Sequence, residues 1–190
     1  MRQICWCVGV GVMLALPASA RAQSVGVEGG LSLSTLKSQD DEADFLDRLV
    51  APTGGLFVVF GPNAVTGRID VLYSVRGAKF ELGEYRFTYL EIPVGAQIHV
   101  ARTSNSDVHI FGGTSLGIKL DAKLSQTNDA DVELDDEVED LDLGIYIGAG
   151  VTFGRFVVNG RYTHGVRNIS VGGPELKNRS FAFMVGFRLN

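Results

Sequence analysis

The side chains of this chain that could do chemistry are His99, His109, His164, Ser115 and Glu91, together with an acidic run holding Asp129, Asp131, Glu133, Asp135 and Asp136. A histidine, a serine and a carboxylate within reach of one another would suit acyl transfer, as base, nucleophile and orienting acid. The spacing argues against it. His109 and Ser115 are six residues apart on one extended segment, ~20 Å at the usual strand rise. His99 and His164 have no serine at an aligned position. Zinc is also poorly supplied, because Cys5 and Cys7 lie in the N-terminal segment and only three histidines remain. The acidic run suits a hard cation better, since calcium and magnesium take clustered carboxylates. Asp129, Asp131 and Glu133 alternate as in a calcium loop. However, Leu134 stands where the EF-hand needs glycine, and Asp140 replaces its bidentate glutamate. The expectation is therefore a solvated acidic loop, with loose divalent-cation binding by Asp129, Asp131, Glu133, Asp135 and Asp136 as the sharper alternative. Neither a cofactor nor an enzymatic activity is expected.

A second set of charges follows a regular rhythm. Asp70, Arg76, Glu91, His99, Lys119, Asp142, Arg161 and Arg188 all fall on the polar phase of a two-residue alternation. The alternation is clearest where Leu141, Leu143, Ile145, Ile147, Ala149, Val151 and Phe153 oppose Asp142, Gly144, Tyr146, Gly148, Gly150 and Thr152. Such alternation means a β-strand with one apolar face. Runs of this length suit a tilted membrane-spanning strand of about 9–11 residues better than the globular mean of roughly 5–6.

The same reading predicts eight strands, over about Ser24–Leu36, Thr53–Gly61, Arg68–Phe80, Tyr85–Val100, Val108–Leu124, Leu141–Phe153, Phe156–Asn168 and Asn178–Asn190. On the third, Ile69, Val71, Tyr73 and Val75 form the apolar face. Longer connections follow odd-numbered strands and short turns follow even-numbered ones, as in outer-membrane barrels. The fold expected is all-β: an eight-stranded antiparallel up-and-down transmembrane barrel with its apolar face toward lipid. A soluble secreted β-barrel binding a small apolar ligand, with that face inward, is the alternative.

Residues 1–22 read as a secretory signal peptide: Arg2, then an apolar stretch to Leu16, then Pro17 and the small residues Ala20 and Ala22. Cleavage is expected before Gln23, or alternatively after Ala20, leaving 23–190 as one barrel domain in the outer membrane of a Gram-negative cell. Removing Arg2 and Arg21 but none of the 22 acidic residues makes the mature chain more acidic than the formal −5 of the whole sequence. Most of that acid lies in Asp40–Asp47 and Asp129–Asp142, so nucleic acid is a poor partner.

Several segments carry a resemblance to a known family. Tyr89-Leu90-Glu91-Ile92-Pro93-Val94, then Asp142-Leu143-Gly144-Ile145-Tyr146-Ile147-Gly148-Ala149-Gly150, then Gly160-Arg161-Tyr162-Thr163-His164-Gly165-Val166-Arg167-Asn168-Ile169 occur in the order of the PorT-like, or porin-like, outer-membrane β-barrel domain. The chain resembles that family over essentially its mature length. It departs from many such barrels in ending Phe187-Arg188-Leu189-Asn190 rather than in an aromatic residue. The resemblance implies an outer-membrane barrel and no shared biochemical activity. Lipid, lipopolysaccharide and the barrel-assembly machinery are the expected partners, with divalent cations at the acidic loops.

An eight-stranded barrel is only wide enough to be filled by side chains. Opposite inward charges should pair, because a lone buried charge is costly. The expectation is a structural lumen network of Asp70, Arg76, Glu91, Asp142 and Arg161, with Arg161 meeting Glu91 or Asp142. A filled lumen favours a non-enzymatic structural or interaction role over the alternative of a narrow ion or small-solute channel.

Overall fold

A computed structural model of the protein describes residues 22–38, 47–61, 64–80, 83–126, 132–133, 139–168 and 176–190. The strands are β1 (Ala22–Ser38), β2 (Asp47–Phe60), β3 (Val65–Phe80), β4 (Gly83–Arg102), β5 (Ser106–Gln126), the two-residue β6 (Val132–Glu133), β7 (Leu141–Phe153), β8 (Phe156–Gly165) and β9 (Leu176–Arg188). Every pairing is antiparallel, each long strand lies beside its sequence neighbours, and β9 pairs back onto β1. β4 also pairs with β5, so the eight long strands close into a barrel and leave β6 as a short addition to β5. No helix occurs among the described residues. Closure leaves none of these eight strands with an unpaired edge, which is the condition for β-structure in a bilayer.

The sheet wears its apolar side outward. Ile147 and Phe153 are more than 60% exposed, and Leu143, Ile145, Phe181, Phe183 and Val185 lie on the same outer surface. Each such side chain left in water rather than lipid forgoes about 1.5–3 kcal/mol. Inside, Glu28, Arg68, Asp70, Arg76, Glu91, Asp142, Asn159, Arg161 and Asn178 are buried. The soluble alternative, an apolar-lined cavity inside a polar exterior, is thereby overturned: the alternation runs the other way round.

Strand ends differ from those expected of the sequence. β2 starts at Asp47, not Thr53. Pro52, which has no N–H for a ladder, hides this extension, and it sits where β2 loses register with β3 between Arg48 and Thr53. An extra residue at such a bulge re-aims its neighbours. Val75, expected outward with Val71 and Tyr73, is instead buried against Leu49 and Ala51. β8 stops at Gly165, short of the expected Asn168. One end of the barrel carries short turns after β2, β4 and β7; the other carries the longer connections after β1, β5 and β8, together with the link after β3, which spans only from Phe80 to Gly83 and so is a tight turn rather than the longer connection expected there.

Candidate functional site

The inward faces of β1, β3 and β8 bring Glu28, Arg68, Asp70 and Arg161 together at mid-barrel. Arg68 Nη2 donates to both Glu28 oxygens at 3.0 and 2.9 Å, and Arg68 Nε donates to Asp70 Oδ1 at 2.8 Å. Arg161 Nη2 donates to Asp70 Oδ2 at 2.5 Å and to Glu28 Oε1 at 3.4 Å. The four side chains are at most 2% exposed. Asn159 Nδ2 also donates to Glu28 at 2.8 Å, and Asn159 Oδ1 lies 3.2 Å from His109 Nε2. Two guanidinium groups face two carboxylates, so the cluster is balanced in charge.

Aromatic rings hold the arginines in place. The Arg68 guanidinium carbon lies 5.1 Å from the Phe57 ring centre and 4.7 Å from that of Phe111. Arg161 lies 5.8 Å from Phe111 and 5.2 Å from Tyr146. Contacts of this kind are worth about 2 kcal/mol or more when desolvated. Glycine makes room for the rings: a Cβ on Gly148 would stand 2.4 Å from Phe111 Cζ, and one on Gly26 2.3 Å from Phe57 Cζ.

A second tier lies nearer the long connections. Arg76 Nη2 is 2.5 Å from Glu91 Oε2, and Arg76 Nη1 is 3.5 Å from Asp142 Oδ2. Ser115 Oγ donates to Glu91 at 2.7 Å, and Asn178 Nδ2 donates to Asp142 at 2.9 Å. At the short-turn end, a cavity of about 310 Å³ opens among Gln97, His99, Arg102, Asp107, His109 and Arg188 and ends at Arg68. There His99 Nδ1 lies 2.6 Å from Asp107 Oδ2, and His99 Nε2 lies 3.0 Å from Thr66 Oγ1.

The structure places Asp70, Arg76, Glu91, Asp142 and Arg161 in the lumen but distributes them over two clusters. Arg161 pairs with Glu28 and Asp70, not with Glu91 or Asp142. Arg76 takes that place instead: it stands within ion-pair distance of both Glu91 and Asp142, while Arg161 Nη2 is engaged by Asp70 and Glu28. Glu28, Arg68, Asn159 and Asn178 are the partners that sequence reasoning did not single out; their inward phase was the available signal. Ser115 meets Glu91, while His109 turns to Asn159. Lys119 pairs with Asp140 at 3.2 Å. Asp129, Asp131, Asp135 and Asp136 lie outside the described residues, as do residues 1–21, and of Glu133 only the backbone is described. Among the described residues no group of three histidine, cysteine or acidic side chains is placed to hold a metal ion.

Comparison with known proteins agrees with this architecture. No curated protein matches the sequence. The crystal structure of Neisserial surface protein A is similar with a TM-score of 0.54 at 10% identity, covering 89% of this chain and 99% of that one. The attachment invasion locus protein of Yersinia pestis, solved in complex with a heparin analogue, gives a TM-score of 0.45 at 16% identity, covering 87% and 98%. The former likeness is one of fold. Residues 18–171 match the family described as outer membrane protein beta-barrel domain. The chain belongs to that family and is a β-barrel protein of the Gram-negative outer membrane.

Proposed function

We propose that the protein is a non-conducting, non-enzymatic barrel whose lumen charges are structural and whose long connections form an interaction surface outside the cell. The observation that carries this reading is the Glu28–Arg68–Asp70–Arg161 cluster, buried at mid-barrel and braced by Phe57, Phe111 and Tyr146. Moving a solute past it would separate buried ion pairs, a cost of about 3–5 kcal/mol for each one broken. Residues 1–22 act as the export signal, and the barrel-assembly machinery inserts the remainder. Short turns then lie on the periplasmic side and long connections outside, where Asp129, Asp131, Glu133, Asp135 and Asp136 offer carboxylates to divalent cations bridging to lipopolysaccharide.

A narrow channel is the second reading, favoured by the cavity that reaches Arg68 from the short-turn end. Two measurements separate them. Liposomes carrying the protein are expected to swell no faster in arabinose than empty ones, and Arg161→Met is expected to lower the temperature of its heat-modifiable gel shift in detergent. Swelling at a rate set by protein content supports the channel. An unchanged shift temperature in Arg161→Met counts against a structural network.

A further inference from the structure

Outward side chains can be followed from strand to strand at the long-connection end. On β8, β9, β1 and β2 the register aligns Tyr162 with Phe181, Phe181 with Leu33, and Leu33 with Val50. Two residues nearer the connections, the next outward row aligns His164 with Arg179 and Arg179 with Thr35. Arg48, two residues from Val50 on β2, ends that row. An apolar row is thus followed directly by a cationic one, the change a barrel wall meets where hydrocarbon gives way to headgroups. A surface cavity of about 390 Å³ spans both rows and includes Leu33, Thr35, Arg48, Tyr162, Arg179 and Phe181 in its lining.

The opposite wall is different. There Arg86 on β4 pairs with Glu84, and Lys123 on β5 pairs with Asp121 at 3.1 Å. Arg48 and Arg179 form no ion pair with a described carboxylate, and Arg179 Nε is shielded from solvent without a hydrogen-bond partner among the described groups. A shielded donor left unmade is costly, and phosphate oxygens match the guanidinium fork.

The geometry points to a binding site on the outer face of β8, β9, β1 and β2 for the phosphate headgroup of an outer-leaflet lipid. Arg48 and Arg179 take the phosphate, and Leu33, Tyr162 and Phe181 take the first acyl carbons. This contact is direct and needs no bridging cation. The competing occupant is the segment joining β1 to β2, which carries Asp40, Asp41, Glu42 and Asp44.

The full chain in phosphatidylcholine nanodiscs containing some bisphosphorylated lipid A, or its dephosphorylated form, tests the site by native mass spectrometry. The unaltered chain is expected to retain the bisphosphorylated lipid roughly tenfold over the dephosphorylated one, as two charge-assisted contacts allow. Arg48→Gln with Arg179→Gln removes that preference, and Arg86→Gln keeps it. Should the double variant fail to show heat-modifiable mobility, Arg179→Lys, which keeps the charge and loses Nε, is expected to lose part of the preference. An equal preference in the variants and the unaltered chain overturns the site. So does a preference that emerges only when Asp40, Asp41, Glu42 and Asp44 are neutralised together, which assigns the arginines to that segment. Lipid retention is read independently of conductance.

Discussion

The mid-barrel cluster sets Arg68 and Arg161 against Glu28 and Asp70, whereas the tier nearer the long connections sets Arg76 alone against Glu91 and Asp142. The first is balanced in charge and its cations lie on aromatic rings. The second has one carboxylate in excess and relies on the neutral donors Ser115 and Asn178. In a lumen filled by side chains, a carboxylate can thus be accommodated either by a guanidinium or by hydroxyl and amide donors. The two solutions differ in what losing one member does. Removing a cation strands charge, while removing the surplus carboxylate strands almost nothing.

That difference ranks the outcomes of substitution. Arg68→Met leaves Glu28 and Asp70 to share Arg161, and is expected to cost toward the upper end of about 3–5 kcal/mol. Urea unfolding in detergent micelles checks this, and a loss no larger than that of Arg76→Met would erase the distinction between the tiers. Arg76→Met leaves Glu91 and Asp142 without their shared cation, with Ser115 and Asn178 still in place, and is expected to cost about 3 kcal/mol in the same measurement. Asp142→Asn removes the surplus charge and keeps a polar group for Asn178. Its unfolding midpoint is expected within about 1 kcal/mol of the unaltered protein, in either direction; a large loss would show that Asp142 is as tightly bound to Arg76 as Glu28 is to Arg68. Arg86→Gln breaks an ion pair in which Arg86 is 49% exposed, and is expected to change stability by no more than about 0.5 kcal/mol.

Much of this was legible from two-residue periodicity. Asp142, Arg161, Glu91 and Asp70 fall on the polar phase of their strands, and strict alternation carries each to the lumen once the apolar phase is assigned to lipid. Which charges meet was not legible. That depends on strand tilt and on the stagger around the closed sheet, properties of all eight strands together that no single strand reports. Glu28 illustrates the gap. It stands among glycines and serines on β1 with nothing local to mark it, yet both Arg68 and Arg161 reach it across the lumen. The outer row of His164, Arg179, Thr35 and Arg48 is assembled in the same way, from two register relations and the spacing of Arg48 from Val50. The start of β2 was hidden for a local reason, the proline at its bulge.

Closure of the barrel by the balanced cluster is read by single-channel recording of the purified full chain in planar bilayers at high salt. A silent bilayer is expected under applied potentials of either sign, with insertion confirmed by heat-modifiable mobility of the same preparation. Stable unitary steps whose frequency follows the amount of folded protein would contradict it, because ions would then be passing Arg68 and Glu28 at mid-barrel.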